Sequence, residues 1–314
     1  MQTSQATARI VGIEAGGTKV VCATGSGPDD LGPLHRFATT TPDATIAGMV
    51  EFVRTAQGEG PVDGIGLATF GPIDLDPESP THGHLTTTPK AHWQGVDVVG
   101  RLQAATGLPV AFDSDVNGAA VAEHRWGAGV GTDNLVYLTV GTGVGGGVVV
   151  AGQPVHGMLH PEVGHLTVRR HPDDDFAGNC RFHGDCLEGL AAGPSVEARF
   201  ARRGEDLDAA EAAEAVAIVS SYLAQAVAAV GYVVSPQRVV LGGGVLALPG
   251  LLAAVRTSTR ELLAGALVAD ELGDDLSGWV VAPGLGDRAG VLGAVALALD
   301  ANPTETNPRN RERQ

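Results

Sequence analysis

The sequence predicts an α/β fold of duplicated design, two domains with a cleft between them, on three observations. Residues 8–25, "ARIVGIEAGGTKVVCATG", read as a β-branched run, a glycine turn and a second β-branched run. The same order of strand, glycine loop and strand returns at 134–155, "NLVYLTVGTGVGGGVVVAGQPV", and an internal repeat of that kind weighs more in a fold assignment than any single motif. The hydrophobic share is 44% while aromatic residues make up only 4%. The core is therefore built of Ala, Val and Leu, as where helices pack on parallel strands.

The elements follow in order. After the first hairpin, "DATIAGMVEFVRTAQ" places apolar residues at helical spacing. "VDGIGLATFGPID" reads as a buried strand ending in a Gly-Pro turn, and "DVVGRLQAATG" as a helix stopped by glycine. "LPVAFDSDVNGAAVAEHRWG" gives a strand, a polar corner and a helix. Past the second hairpin come a Cys/His-rich region and a long amphipathic helix from Ala209 to Val230. The apolar stretch from Tyr222 to Val234 reads as a buried helix followed by a strand. The strand "RVVLGGGV", another helix and strand, and a closing helix from Asp287 complete the pattern. The domains are expected at 1–118 and 119–300, with a small metal-binding subdomain at about 160–190 and a disordered tail at 301–314.

Composition excludes several functions. The formal charge is −16, from 36 acids against 20 bases, so the chain repels nucleic acid and anionic membrane surfaces, and neither is an expected partner. The only basic cluster is the terminal "NPRNRERQ". Three cysteines, Cys22, Cys180 and Cys186, form no secretory pattern, and the first ten residues hold no apolar core of a signal peptide. The expectation is a soluble protein of the cytoplasm.

Three glycine loops each follow a strand: "EAGGTK" (14–19), "GTGVGGG" (141–147) and "GGGV" (242–245). Glycine there lets backbone N–H groups approach a phosphate, and threonine adds a hydroxyl donor. None is a P-loop, and the first two lead into strands, so they are not Rossmann fingerprints. The chain has only two lysines, Lys19 and Lys90, and Lys19 stands in the first loop, where a polyphosphate would lie.

Asp113, Asp115 and Asn117 occupy the strand-to-helix corner of "FDSDVNGAA", at the carboxyl end of the sheet where α/β proteins bind ligands. Asp113 or Ser114 serves as helix cap. Asp115 is the candidate base, able to take the proton of a sugar hydroxyl as it attacks a γ-phosphate. Glu162 and His165 in "HPEVGHL" and Glu188 in "CLEG" supply two carboxylates and an imidazole, a set suited to gripping a ring of hydroxyls.

The stretch 171–189, "HPDDDFAGNCRFHGDCLEG", holds Cys180, His183 and Cys186 at spacings that suit tetrahedral zinc. His165 or His171 completes the set. His165 is preferred, because it follows Glu162 by three residues and would tie a sugar-facing segment to the knuckle. Four protein ligands leave no open position, so the zinc is expected to be structural.

"GIEAGGTK", "FGPID", "DSDVN", "TVGTGVGGG", "HPEVGH", the knuckle ending in "CLEG", and "LGGGV" occur in the order seen in sugar kinases of the ROK family, and the resemblance runs over about residues 10–300. It implies an actin-like, ribonuclease H-like ATPase fold, Mg2+-ATP as phosphoryl donor, a bound Zn2+ and commonly a homodimer. By motif, Asp115 resembles the catalytic base, and Gly71, Asp115, Glu162, His165 and Glu188 the sugar site. Gly16, Gly17, Thr18, Lys19, Gly141, Thr142 and Gly143 resemble the phosphate loops, and Gly242, Gly243 and Gly244 the adenosine loop. Two departures stand out: Glu14 takes the place of the usual Asp at the head of the first loop, and His183 that of a third cysteine. "EAGGTK", "FGPIDLDPESPTHGHLTTTPK" and "CRFHGDCLEG" look like the bacterial fructokinase subgroup, which implies fructose 6-phosphate as product. "TTTPK" with "HW" would be an acceptor-side loop, its His82, His84 and His92 polar surface residues. A kinase for mannose, glucose or N-acetylmannosamine would use the same residues. The family also contains sugar-sensing repressors that carry a DNA-binding segment ahead of the first loop; here a strand begins by about residue 9, the charge disfavours DNA, and Asp115 is retained.

Overall fold

The computed structural model describes residues 8–88 and 90–301; the tail expected from 301 onward lies, after Ala301, outside them. The chain divides into two compact units: one holds the residues up to Ala122, Gly157–His160 and those from Leu285 onward, the other Glu123–His156 and Pro161–Gly284.

In the first unit β1 (Ile10–Ala15) and β2 (Lys19–Gly25) form the expected hairpin, and β3 (His35–Ala38) adds an antiparallel edge strand. β4 (Gly64–Thr69) and β5 (Val110–Ser114) join parallel to β1, giving the order β3-β2-β1-β4-β5. Helix α1 (Pro42–Glu59) starts at Thr41, whose hydroxyl accepts from the Ala44 N–H, with Pro42 in its first turn. Helix α2 (Val98–Thr106) is capped by Asp97 and stops at Gly107, in the left-handed region at φ 71°. Helix α3 (Asp115–Trp126) leaves directly from β5.

The second unit repeats the plan. β6 (Leu135–Val140), β7 (Val144–Val150) and β8 (Gln153–Pro154) form an antiparallel meander. β9 (Arg238–Gly242) and β10 (Val280–Val281) add parallel strands, in the order β10-β9-β6-β7-β8. Counted from the edge strand of each meander, the two sheets have the same topology, which is the duplication the two hairpins predict. Short helices α4 (Leu187–Ala191) and α5 (Gly193–Phe200), the long α6 (Ala209–Val234) and α7 (Leu251–Leu263) cover this sheet. The Cys/His stretch is part of this unit, since Leu187 and Leu190 enter its core beside Val144, Val163 and Tyr222.

Two expectations are corrected. The strand expected after Tyr222 is helix: α6 opens with a reciprocal cap between Asp208 and Glu211 and runs unbroken to Val234, ending at Ser235 in the left-handed region before Pro236. Its best 18-residue window has a mean hydropathy of 1.7, enough by length and composition to cross a membrane. Instead Ile218, Val219, Leu223 and Val227 lie in the core of the second unit. The closing helix α8 (Ala289–Ala301), expected with the second domain, packs on β1, β4 and β5 of the first unit. Residues 289–296 of α8 are buried without a gap. A helix apolar on every side must be covered on every side, and small residues let the first sheet do it.

The tightest approach is at Gly66 in β4, where a Cβ would stand 1.7 Å from the carbonyl oxygen of Ala294. Gly66→Ala is expected to lower Tm by more than about 5 °C or to leave the chain insoluble. Gly58, exposed near the end of α1 with nothing within 4 Å of where a Cβ would stand, is the control. Gly58→Ala should leave Tm unchanged or raise it, because alanine favours helix by roughly 0.5–1 kcal/mol. Thermal unfolding of both variants checks the pair.

Candidate active site

The first glycine loop joins β1 to β2 and is held from outside. The Gly16 N–H donates to the Lys19 carbonyl at 2.9 Å, closing the turn, while the Thr39 hydroxyl donates to the Gly16 carbonyl at 2.7 Å and the Thr39 N–H to the Thr18 carbonyl at 2.9 Å. Gly17, Thr18 and Lys19 are exposed. At the neighbouring strand ends lie Gly71, just past β4, and Asp115, the first residue of α3. Ser114 is the cap, its Oγ accepting from the Asn117 N–H at 3.2 Å. Buried Asp113 accepts from Asn117 Nδ2 at 2.9 Å and the Ser114 N–H at 2.6 Å. Asp113 is thus tied into the corner, while Asp115, half-buried, accepts from the Val116 N–H at 2.9 Å. Gly71 packs against the buried ring of His160.

In the second unit Gly141, Thr142 and Gly143 form the β6–β7 turn, with the Gly141 N–H donating to the Gly143 carbonyl at 2.8 Å. The Gly193 N–H at the head of α5 donates to the Gly141 carbonyl at 2.7 Å. Glu188, in the first turn of α4, accepts from the Val144 N–H at 3.1 Å, so this carboxylate borders the second glycine loop. Glu162 is exposed, and the turn Val163–His165 packs on β7 through Gly164. The loop Gly242–Gly244 leaves β9 along the backbone of Val140: Gly243 has φ 96°, and a Cβ there would fall 2.4 Å from the Val140 carbonyl oxygen.

The same unit gathers His165, Cys180, His183 and Cys186, whose ligand atoms all lie within 4.8 Å of one another. His165 Nδ1 is 3.8 Å from Cys180 Sγ and 3.7 Å from Cys186 Sγ, and His183 Nδ1 is 3.9 Å from Cys180 Sγ. Ligands of a tetrahedral zinc stand about 3.3–3.8 Å apart, given bonds near 2.0–2.3 Å, so the donor set fits that ion. Burial, above all, pushes the Cys186 thiol up to about 11, and a bound cation would hold it as thiolate at neutral pH. His171 is elsewhere: its Nδ1 accepts from the Asp173 N–H at 3.3 Å. Of the two histidines, His165 is the one gathered with the cysteines.

The ROK family profile matches residues 10–301. The chain belongs to the ROK family. Two similar members are the fructokinases of Zymomonas mobilis, 45% identical over 92% of this chain and 96% of that one, and of Streptococcus mutans, 40% identical over 91% and 96%. The crystal structure of the ROK hexokinase from Thermus thermophilus superposes with a TM-score of 0.74 at 29% identity, covering 93% of this chain and 99% of the other. A Streptomyces griseus ROK glucokinase with bound glucose and AMPPNP, at 22% identity and a TM-score of 0.73, shares the fold. The actin-like ATPase fold predicted from the motifs is therefore the fold of this chain.

Several residues that brace these segments escape sequence reading. Thr39 braces the first loop from 23 residues away at Gly16, and nothing in "RFATTTP" marks it. Asp174, one of three consecutive aspartates, is buried and takes two hydrogen bonds of 2.9 Å from Arg199 and one of 2.6 Å from Tyr222. Burial works against its charge, but Arg199 and Tyr222 hold its carboxyl below the usual range, and so anchor the knuckle segment to α5 and α6.

Glu14, the departure from the family pattern, is half-buried near the end of β1, its carboxyl filling the space a Cβ on Gly290 would need. Burial raises its pKa above the ordinary 4.5; Lys19 and Arg36 oppose the rise and Asp287 adds to it. The native state thus binds this proton more tightly than the unfolded chain. Glu14 favours folding in acid and opposes it as pH climbs through the native pKa. Glu14→Gln should therefore have a higher Tm than the parent protein near pH 8, with the gap closing toward pH 4; differential scanning calorimetry across that range reads it.

Proposed function

We propose that this chain transfers the γ-phosphoryl group of ATP to O6 of fructose, as a fructokinase. The observation that carries the acceptor is the likeness to curated fructokinases at 38–45% identity over most of the chain. The geometry supports the reaction class. Asp115 sits at the carboxyl end of the first sheet, where it can take the proton as the sugar hydroxyl attacks. Gly16–Lys19 offers N–H groups and an ammonium to phosphate oxygens, and Gly141–Gly143 offers N–H groups and the Thr142 hydroxyl. Gly242–Gly244 is assigned to adenosine. Gly71, Glu162 and His165 are assigned to the sugar, with Glu188 orienting that segment through the second loop. Magnesium bound with ATP would offset phosphate charge, and Glu14, a carboxylate at the root of the first loop, would hold one of its waters.

Zinc is assigned to His165, Cys180, His183 and Cys186 in a structural role, because all four positions are protein ligands. With Nδ1 facing the two sulfurs, His165 keeps Nε2 on the opposite side of the ring, free of the metal, for a sugar hydroxyl. We further propose a soluble, cytoplasmic homodimer that binds neither nucleic acid nor membrane.

A coupled ADP-release assay with Mg-ATP against fructose, mannose, glucose and N-acetylmannosamine tests the reading. Fructose is expected to be preferred, and Asp115→Asn to lower kcat by a factor on the order of 10²–10⁴. Preference for another hexose would overturn the acceptor assignment and leave the base assignment standing. Atomic emission should find one zinc per chain. Cys186→Ser is expected to lose that metal and several degrees of Tm, while a zinc-free yet fully stable protein would sink the structural role.

A further inference from the structure

Lys90 lies far from the first glycine loop in sequence, yet its ε-ammonium donates to the Gly17 carbonyl at 2.5 Å. With that bond, each carbonyl from Gly16 to Thr18 is taken from outside the loop: Gly16 by the Thr39 hydroxyl, Gly17 by Lys90, Thr18 by the Thr39 N–H. A planar trans peptide points its N–H opposite to its C=O. Pinning these three carbonyls therefore turns the N–H groups of Gly17, Thr18 and Lys19 the other way, as a set. Gly17 and Thr18 are exposed, and nothing lies within 4 Å of a Cβ built on Gly17, so no neighbour packs against that side of Gly17 to hold its peptide. Thr39, one residue past the edge strand β3, acts through short bonds. The middle peptide depends on a side chain.

The segment that carries Lys90 is itself anchored. Trp93 is buried, its indole N–H donates to the Thr40 carbonyl at 3.0 Å, and its ring meets Phe70 edge-on at 5.2 Å. The Trp93 N–H donates to the Lys90 carbonyl at 3.2 Å. The ammonium is thus delivered from a fixed base. It also puts the second of the chain's two lysines on the loop that already holds the first.

We propose that Lys90 is a positioning residue for the polyphosphate: it locks the Gly17 peptide so that the Thr18 N–H faces a phosphate oxygen. The inference rests on the assignment of this loop to the nucleotide. Lys90→Met removes the donor with little change in length, and Lys90→Arg keeps a charged donor. For Lys90→Met the expected result is a loss on the order of ten- to hundredfold in kcat/KM for ATP and in Mg-ADP affinity by calorimetry, the range for a hydrogen bond from a charged group. The KM for fructose, adenosine affinity and Tm should stay within twofold or about 1 °C, and Lys90→Arg should recover part of the loss. Adenosine lacks phosphates, so a general disturbance of the site would weaken both nucleoside and nucleotide. Parent-like ADP binding by Lys90→Met overturns the proposal, as does a defect confined to the fructose KM. Parent enzyme that binds ADP but does not phosphorylate fructose would defeat the fructokinase reading, while the calorimetry still decides the role of Lys90.

Discussion

The first unit depends on how closely α8 lies on its sheet. Cβ atoms built on Gly12 and Gly66 would stand 2.7 Å from the Val291 carbonyl and 1.7 Å from the Ala294 carbonyl, and one on Gly293 would stand 2.2 Å from Gly118. Helix backbone therefore rests directly against β4 and the first turn of α3, while at Gly12 in β1 the Val295 side chain shares the contact. That contact brings Gly290 to the Glu14 carboxyl, and so sets the root of the first glycine loop. It also explains why a helix at the end of the chain belongs with residues at its beginning.

The second unit meets a similar need by different means. Its glycine loop is braced by the carboxylate of Glu188 and the N–H of Gly193 rather than by an edge strand. Glu188 follows Cys186 by two residues, so the cluster that would hold zinc also fixes the carboxylate that holds the Val144 N–H. Asp174, Arg199 and Tyr222 secure the other end of the same segment. The knuckle, the loop and the turn carrying Glu162 and His165 form one connected piece of backbone. Its geometry is set by buried hydrogen bonds, in a stretch with little regular secondary structure.

Where the family pattern is broken, the structure gives a local reason for tolerance. Glu14 is one methylene longer than aspartate, and the missing side chain at Gly290 accommodates that length. His183 replaces a cysteine on the exposed side of the cluster, where its Nδ1 still stands 3.9 Å from Cys180 Sγ. An exposed imidazole would suit a metal there, since its far side is easily solvated.

Local chemistry made much of this protein legible without coordinates. The repeated strand–glycine–strand units, the cap at the Asp113–Ser114 corner, and the spacing of Cys180, His183 and Cys186 are each written within a few residues, where short-range sterics and hydrogen bonds decide the outcome. The strand-to-helix corner at Asp115 was readable for the same reason. What only the tertiary structure decided are pairings between distant positions: α8 with the first sheet, Thr39 and Lys90 with the first loop, Asp174 with Arg199, and His165 rather than His171 with the two cysteines. The misreading of Tyr222–Val234 has the same origin. Ala/Val-rich runs suit a buried strand as well as a buried helix, and the choice fell to the core that α6 fills. Sequence states which groups are present and how each bends its own backbone; which of them meet is settled by packing the whole chain at once.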